Sequence, residues 1–113
     1  MANAYPKMIA AALDAVVHAR AAKVLDMTPE AVAEAMRRGD DDGREIAYFV
    51  ENFADEVMPA EVINHEGDVW VRVAEFGTGP VRCTWVKVVA DGPGVRAAEV
   101  VAHLPSDVAT SRV

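Results

Sequence analysis

The sequence predicts an α+β fold in which three N-terminal amphipathic helices pack on a C-terminal four-stranded antiparallel β-meander. Up to about residue 58, apolar residues recur at spacings of three and four, whereas valine-rich stretches alternate with glycine-containing turns beyond it. The length of 113 residues and the apolar content of 52% suit one hydrophobic core. We therefore expect a single domain, 1–113, with a helical half (1–58), a β-meander (59–104) and a tail (105–113).

Capping residues and helix breakers divide the first half into three helices. Pro6 suits the first turn of a helix. Thr28 is an N-cap signal before the second helix, and Gly39 is a stop signal after it. Asp42 with Glu45 three residues later resembles a capping box at the start of the third helix. The expected ranges are 6–25, 29–38 and 43–58.

Three turn-like segments divide the second half into four strands. The turns lie at 65–68, 77–80 and 91–94 and are rich in glycine, proline and acidic residues. The expected strands are 61–64, 69–76, 81–90 and 95–104. Tight turns fix the register, which places Ala90 opposite Val95 and Arg72 opposite Trp85. The second pair predicts a cation–π contact.

Both faces of the predicted sheet are apolar, with the two tryptophans on one face and a row of valines on the other. An antiparallel sheet that helices cover on one side normally presents polar residues on its open side. The second apolar face therefore predicts a homo-oligomer or a protein partner, unless helices cover both faces. The predicted interaction face consists of Val69, Val71, Val73, Val86, Val88 and Val101.

No residue pattern nominates a catalytic, cofactor-binding or metal-binding site. The three histidines lie in separate elements without ligand spacing, and Cys83 is the single cysteine. The predicted register points Cys83 and His103 to opposite faces, which predicts a buried structural cysteine rather than a nucleophile. The glycine turns do not lead from a strand into a helix as a phosphate-binding loop does. We therefore expect a non-enzymatic protein-interaction or self-associating module without a cofactor.

The charge and hydropathy of the chain bear on its partners and location. The formal net charge is −7, and residues 1–60 carry six basic and eleven acidic side chains. Without a cluster of lysine and arginine, nucleic acid is disfavoured as a partner. No apolar run approaches the roughly 18 residues that a membrane span needs, and the first residues lack the features of a signal peptide. These observations predict a soluble cytoplasmic protein that does not bind membranes.

An alternative function rests on residues 21–39, which resemble the helix-turn-helix of small phage and bacterial DNA-binding domains. The matching residues are Ala21, Ala22, Leu25, Thr28, Val32, Arg37, Arg38 and Gly39. The resemblance implies a small DNA-binding regulator that uses residues 18–39. Its contacts to the DNA backbone would come from Arg37, Arg38 and Arg44.

The sequence departs from this family where DNA would be read. Asp26 stands at the turn position that glycine usually holds, and the second helix exposes Glu30 and Glu34. These carboxylates would face phosphates and be repelled by them. The other interpretation is therefore a helical hairpin that serves only in packing.

A third hypothesis starts from the acidic residues near the third helix. They are Asp40, Asp41, Asp42, Glu51, Asp55 and Glu56. An array of carboxylates can imitate the phosphates of nucleic acid, so the chain would inhibit a nucleic-acid-binding protein. The alternative is a solvated charged face that keeps the domain in solution.

Overall fold

The structure, a computed structural model, describes residues 5–77 and 79–111. Residues 1–4, on which the prediction about a signal peptide depends, lie outside the described residues, as do Thr78 of the second turn and residues 112–113 of the predicted tail. The elements are α1 (Tyr5–Leu25), α2 (Pro29–Arg38), α3 (Asp41–Ala54), β1 (Val57–His65), β2 (Asp68–Glu75), β3 (Arg82–Asp91), β4 (Gly94–Val101) and α4 (Ser106–Ser111). The predicted α+β class is confirmed.

The ends of the helices follow their capping residues. The Thr28 hydroxyl accepts a hydrogen bond from the backbone N–H of Ala31 at the start of α2, and Gly39 ends that helix with a φ of 69°. The predicted cap of α3 is wrong, because Asp40 caps this helix instead of Asp42. The Asp40 carboxylate accepts a hydrogen bond of 2.7 Å from the backbone N–H of Gly43.

The boundary between α3 and β1 differs from the prediction. The helix ends at Ala54 rather than 58, and the first strand spans nine residues rather than 61–64. Val57 pairs with Glu75 of β2, and the N–H of Phe76 donates to the carbonyl of Glu56. These backbone bonds join residues about twenty positions apart, so local periodicity cannot reveal them. Pro59 is tolerated because β1 is an edge strand with a register shift there.

The sheet is antiparallel throughout, in the order β1-β2-β3-β4. The predicted pairs Ala90 with Val95 and Arg72 with Trp85 are confirmed. The Arg72 guanidinium lies 5.9 Å from the centre of the Trp85 ring, as a cation–π contact requires.

A register shift in β4 changes which side chains share a face. Lys87 pairs with Glu99 but Val88 pairs with Ala97, so the strand carries an extra residue, Ala98. Beyond this bulge Val101 lies opposite Trp85. The prediction that Val101 belongs to the valine face is therefore wrong.

Helix α1 lies across the valine face of the sheet and contacts all four strands. Its Ala12 and Val16 pack on valines that are between 0% and 3% exposed. Those valines are Val69, Val71, Val73, Val86 and Val88. The prediction that these five form an interaction surface is wrong, because α1 occupies that face within the same chain.

The opposite side of α1 is buried as well. Val17, Ala21 and Ala22 pack against Val32 of α2 and Val50 of α3. Helices α2 and α3 therefore pack chiefly on α1 rather than on the sheet. The first helix is apolar on two sides, which is typical of a helix at the centre of a fold.

The tryptophan face is covered by the end of the described chain. Helix α4, which falls in the segment predicted as a tail, buries Val108 against Trp70 and Trp85. Leu104, in the loop that follows β4, packs against the same cluster. Each face of the sheet thus packs, at least in part, against a different helix of the same chain.

The contact between α2 and α3 depends on Gly43. A Cβ atom at this position would overlap the backbone carbonyl oxygen of Ala35. We expect Gly43→Ala to lower the free energy of unfolding by about 2 kcal/mol, although alanine favours helices, because backbone cannot move aside cheaply. Chemical denaturation measures the effect. Gly94→Ala is the control, since a Cβ there meets its nearest atom at 3.8 Å, and equal stability of both variants would contradict the prediction.

The valine core can be tested with two substitutions on neighbouring strands. Val71→Glu places a carboxylate beneath α1, so we expect it to cost at least about 3 kcal/mol of unfolding free energy. Val62 pairs with Val71 across the strands but is exposed. Val62→Glu should therefore cost about 1 kcal/mol or less. A folded Val71→Glu protein of altered oligomeric state would instead restore the predicted valine interface.

Candidate functional site: a cleft beside α1

The arginines of the DNA-binding hypothesis are all engaged with carboxylates of the same chain. Arg37 pairs with Glu34 at 2.6 Å and Arg38 with Asp40 at 3.1 Å. Arg44 pairs with an aspartate one turn earlier on α3. The Arg37 guanidinium, through its hydrogen bond and its charge, holds the pKa of Glu34 below its usual value. These ion pairs reduce the positive charge that phosphates would meet.

The turn before α2 has a left-handed residue at the position that glycine usually holds in the helix-turn-helix family. Asp26 has a φ of 56°, in the left-handed region that glycine adopts most easily. At this position the chain therefore differs from the family in its side chain, while its backbone has a conformation that glycine adopts easily. DNA binding through this segment stays a prediction.

The six acidic residues of the mimicry hypothesis fall into two groups. Asp40, Asp41 and Glu56 form ion pairs with arginines, so they are partly neutralised. Within residues 5–77 and 79–111, no ion pair joins Asp42, Glu51 or Asp55 to a basic side chain. Mimicry of nucleic acid also stays a prediction.

The cysteine differs from its prediction. Cys83 is exposed rather than buried. It pairs across the strands with Ala74, on the same face as Trp85 but outside the cluster that α4 covers. In the described part of the chain, no group of three or more histidine, cysteine, aspartate and glutamate side chains is placed to hold a metal ion.

A concave surface lies between the C-terminal half of α1 and the sheet. An α-helix is about 10 Å wide, whereas four strands span about 15 Å or more, so one helix cannot cover this sheet. On the valine side, Val62 of β1 and Val100 of β4 remain exposed at the two edges. Beside Val100 the uncovered space forms a cleft of about 500 Å³.

We call this space the α1 cleft. It is lined by Val16, Ala19, Arg20, Lys23 and Val24 of α1, by Glu75 and Phe76 at the end of β2, by Pro80, by Arg82 and Thr84 of β3, and by Val100. Three of these apolar side chains are well exposed: Val24 at 59%, Val100 at 46% and Phe76 at 41%. The α1 cleft therefore combines exposed apolar side chains with polar and charged ones.

Arg20 connects the helices to the sheet at the inner end of the α1 cleft. One nitrogen of its guanidinium lies 2.7 Å from the Glu56 carboxylate, and the other donates a hydrogen bond to the carbonyl of Phe76. The guanidinium also lies 4.6 Å from the centre of the Phe53 ring. A Cβ atom at Gly77 would approach the same guanidinium to 3.0 Å, so glycine leaves room for this contact. Arg20 thereby holds the wall of the cleft in place.

The other two cations of the α1 cleft are not engaged. Among the described residues, Lys23 and Arg82 have no ion-pair partner, and Lys7 is the third such basic residue. Glu75, the acidic residue of the lining, accepts a hydrogen bond from the Thr84 hydroxyl. On a chain of net charge −7, the α1 cleft thus concentrates unpaired positive charge.

The chemistry of the α1 cleft suits binding. Exposed apolar side chains contribute through burial, and a flexible lysine and an arginine attract carboxylates. Sequence reasoning missed this site because its residues come from α1 and three strands. The bulge in β4, which the alternation of side chains does not reveal, places Val100 opposite Val86 and so on the valine side.

A second cavity of about 480 Å³ lies between the turn after α1 and helix α3. Its lining consists of Leu25, Met27, Arg38, Asp42, Glu45, Ile46 and Phe49. The four apolar members also pack in the core of the helical half. This cavity is therefore a shallow extension of that core.

Comparison of the chain with protein-family models, with curated proteins and with solved structures gives no match. The class of protein is thus defined by its fold, an α+β domain with a central helix on an antiparallel sheet. Within residues 5–77 and 79–111, no helix has the length and hydropathy needed to cross a bilayer.

The Asp40 cap predicts a pH dependence. The Gly43 N–H and then the Arg38 guanidinium hold the pKa of Asp40 below its usual value of 3.8. A carboxylate with a lowered pKa stabilises the fold above its unfolded pKa, and this contribution is lost as the pH falls through the folded value. We expect the stability gap between the wild type and Asp40→Asn to shrink below about pH 4. Asp40→Ser, another non-titrating cap, is the control, and a constant gap from neutral to acid pH would contradict this expectation.

Proposed function

We propose that this chain is a non-enzymatic protein-interaction module that docks another protein molecule in the α1 cleft. The observation that carries the proposal is the coincidence of exposed apolar side chains with unpaired cations at one place. Of the ten basic side chains in the described chain, seven are paired with carboxylates, and two of the remaining three line the α1 cleft. A surface that stays unpaired and apolar is typical of an interface.

The size of the surface supports a specific contact. Val24, Phe76 and Val100 together expose apolar area that a partner can cover. At about 25 cal/mol per Å², covering a few hundred Å² is worth several kcal/mol. Part of this gain offsets the entropy lost on association, so the interface must extend beyond the α1 cleft to a total of about 1,200 Å² or more for stable binding.

The proposed interaction surface is the α1 cleft and not the valine face predicted from the sequence, but its physical basis, the burial of exposed apolar side chains, is the same. The surplus of apolar residues on the sheet remains, but α1 and α4 cover most of it within the chain. On the valine side a single helix leaves Val62 exposed at one edge and Val100 at the other, and the α1 cleft lies beside Val100. A second molecule that covers the α1 cleft buries this exposed apolar surface.

Site-specific photo-crosslinking in cells tests the docking site. A benzophenone amino acid replaces Val24 in the α1 cleft or, as the matched control, Val62 on the opposite edge strand. We expect one discrete adduct from position 24 and none from position 62, because the partner lies in the α1 cleft. Val100→Asp in the same chain should abolish that adduct. Equal crosslinking from both positions, or none from position 24, would contradict the proposed function.

A further inference from the structure

We propose that the molecule docked in the α1 cleft is a second copy of this chain, which inserts the outer face of its α3. This inference rests on the proposed function and names the partner. We call the inserted face the tyrosine stripe. It consists of Asp41, Glu45, Tyr48, Glu51 and Asp55.

The tyrosine stripe is one continuous face. Successive residues of the stripe are three or four positions apart in the sequence. They therefore all lie along the outer side of α3. Tyr48 at the centre is 69% exposed and is the most exposed large apolar side chain of the described residues. No contact within the described residues accounts for an aromatic ring at this position. A partner surface that buries the ring would account for it.

A cation near the C-terminal end of α3 would stabilise this helix. The C-terminus of a helix carries a partial negative charge, which lysine or arginine in the last turn usually offsets. The last turn of α3 contains no basic residue, but Glu51 lies near it and Asp55 is the C-cap. Neither carboxylate has an ion-pair partner among the described residues. A cation supplied by another molecule would relieve this repulsion.

The α1 cleft provides the missing features. Lys23 and Arg82 are its unpaired cations, and its exposed apolar side chains can pack on the Tyr48 ring. A volume of about 500 Å³ has room for an aromatic side chain.

Glu45, Glu51 and Asp55 of the tyrosine stripe have no ion-pair partner among the described residues, whereas Asp41 pairs with Arg44. These three unpaired acids thus match the unpaired bases of the α1 cleft. The α1 cleft supplies cations and apolar contacts, and the tyrosine stripe supplies carboxylates and an aromatic ring.

Because each copy carries both surfaces, two copies can exchange them. Reciprocal insertion gives a closed two-fold dimer with two equivalent contacts, whereas one-way insertion would build an open chain of molecules. The closed dimer doubles the buried surface for each pair of molecules. We therefore propose the dimer as the assembled state.

Analytical ultracentrifugation of the purified full chain provides the test. Over about 1 to 100 µM, we expect a species of twice the 12.1 kDa chain mass, weakened by added salt. Lys23→Glu with Arg82→Glu, and separately Glu45→Lys with Glu51→Lys, should each weaken the dimer about tenfold or more. Tyr48→Ala should weaken it to a similar degree.

Mixing the two charge-reversed proteins sharpens the test. A one-to-one mixture should form dimers again. The cleft made acidic in one variant can bind the stripe made basic in the other, and the two unchanged surfaces can still bind each other. Lys7→Glu, which reverses another unpaired cation on α1 outside the α1 cleft, is the control and should leave dimerisation within about twofold. Circular dichroism confirms that each variant is folded.

The possible failures of this inference and of the proposed function are distinguishable. A monomer at every concentration, an open polymer, or a dimer indifferent to both charge reversals would overturn the second-copy inference. If position 24 still forms its discrete adduct in cells, and mass spectrometry shows another protein in it, the docking function stands while this inference falls. If position 24 forms no adduct, both fall.

Discussion

The burial of α1 on two opposite sides is the constraint on which the rest of the structure depends. Ala12 and Val16 meet the sheet, while Val17, Ala21 and Ala22 meet α2 and α3. Small side chains dominate both contacts, so the helix axis can approach its neighbours closely. Each side of α1 supplies the apolar surface that the other layer needs, and neither the sheet nor the helical pair has another partner of that extent in the described chain. Removing this helix would expose both cores at once.

The same arrangement creates the candidate site. A single helix is too narrow for four strands, so part of the valine side stays open, and the α1 cleft forms where the open part meets the helix. Arg20 keeps this opening in shape by joining α1 to Glu56 and to the carbonyl of Phe76. The site is therefore a consequence of how the core is covered, and the Arg20 contacts that border it also join the helical half to the sheet.

Charge on this chain is arranged mostly in local pairs. Arg37, Arg38 and Arg44 each meet an acid within three residues. Such exposed pairs contribute little to stability, but they neutralise the arginines that a DNA-binding interpretation would use. Two of the three unpaired cations among the described residues, Lys23 and Arg82, line the α1 cleft. Unpaired acids, among them Glu51 and Asp55, lie along the outer side of α3. These are the charges that the proposed dimer would bring together.

The sequence by itself determined the elements whose signals are local. Thr28 and Gly39 bound α2 as expected, and the turn signals between the strands predicted the register that pairs Arg72 with Trp85. It did not determine the end of α3, because Val57 follows the helical spacing but bonds to a distant strand. Nor did it determine the side of β4 on which Val100 lies, since one bulged residue reverses the alternation. Only the tertiary structure decided which face α1 covers and what it leaves open, because burial depends on residues that are far apart in the chain.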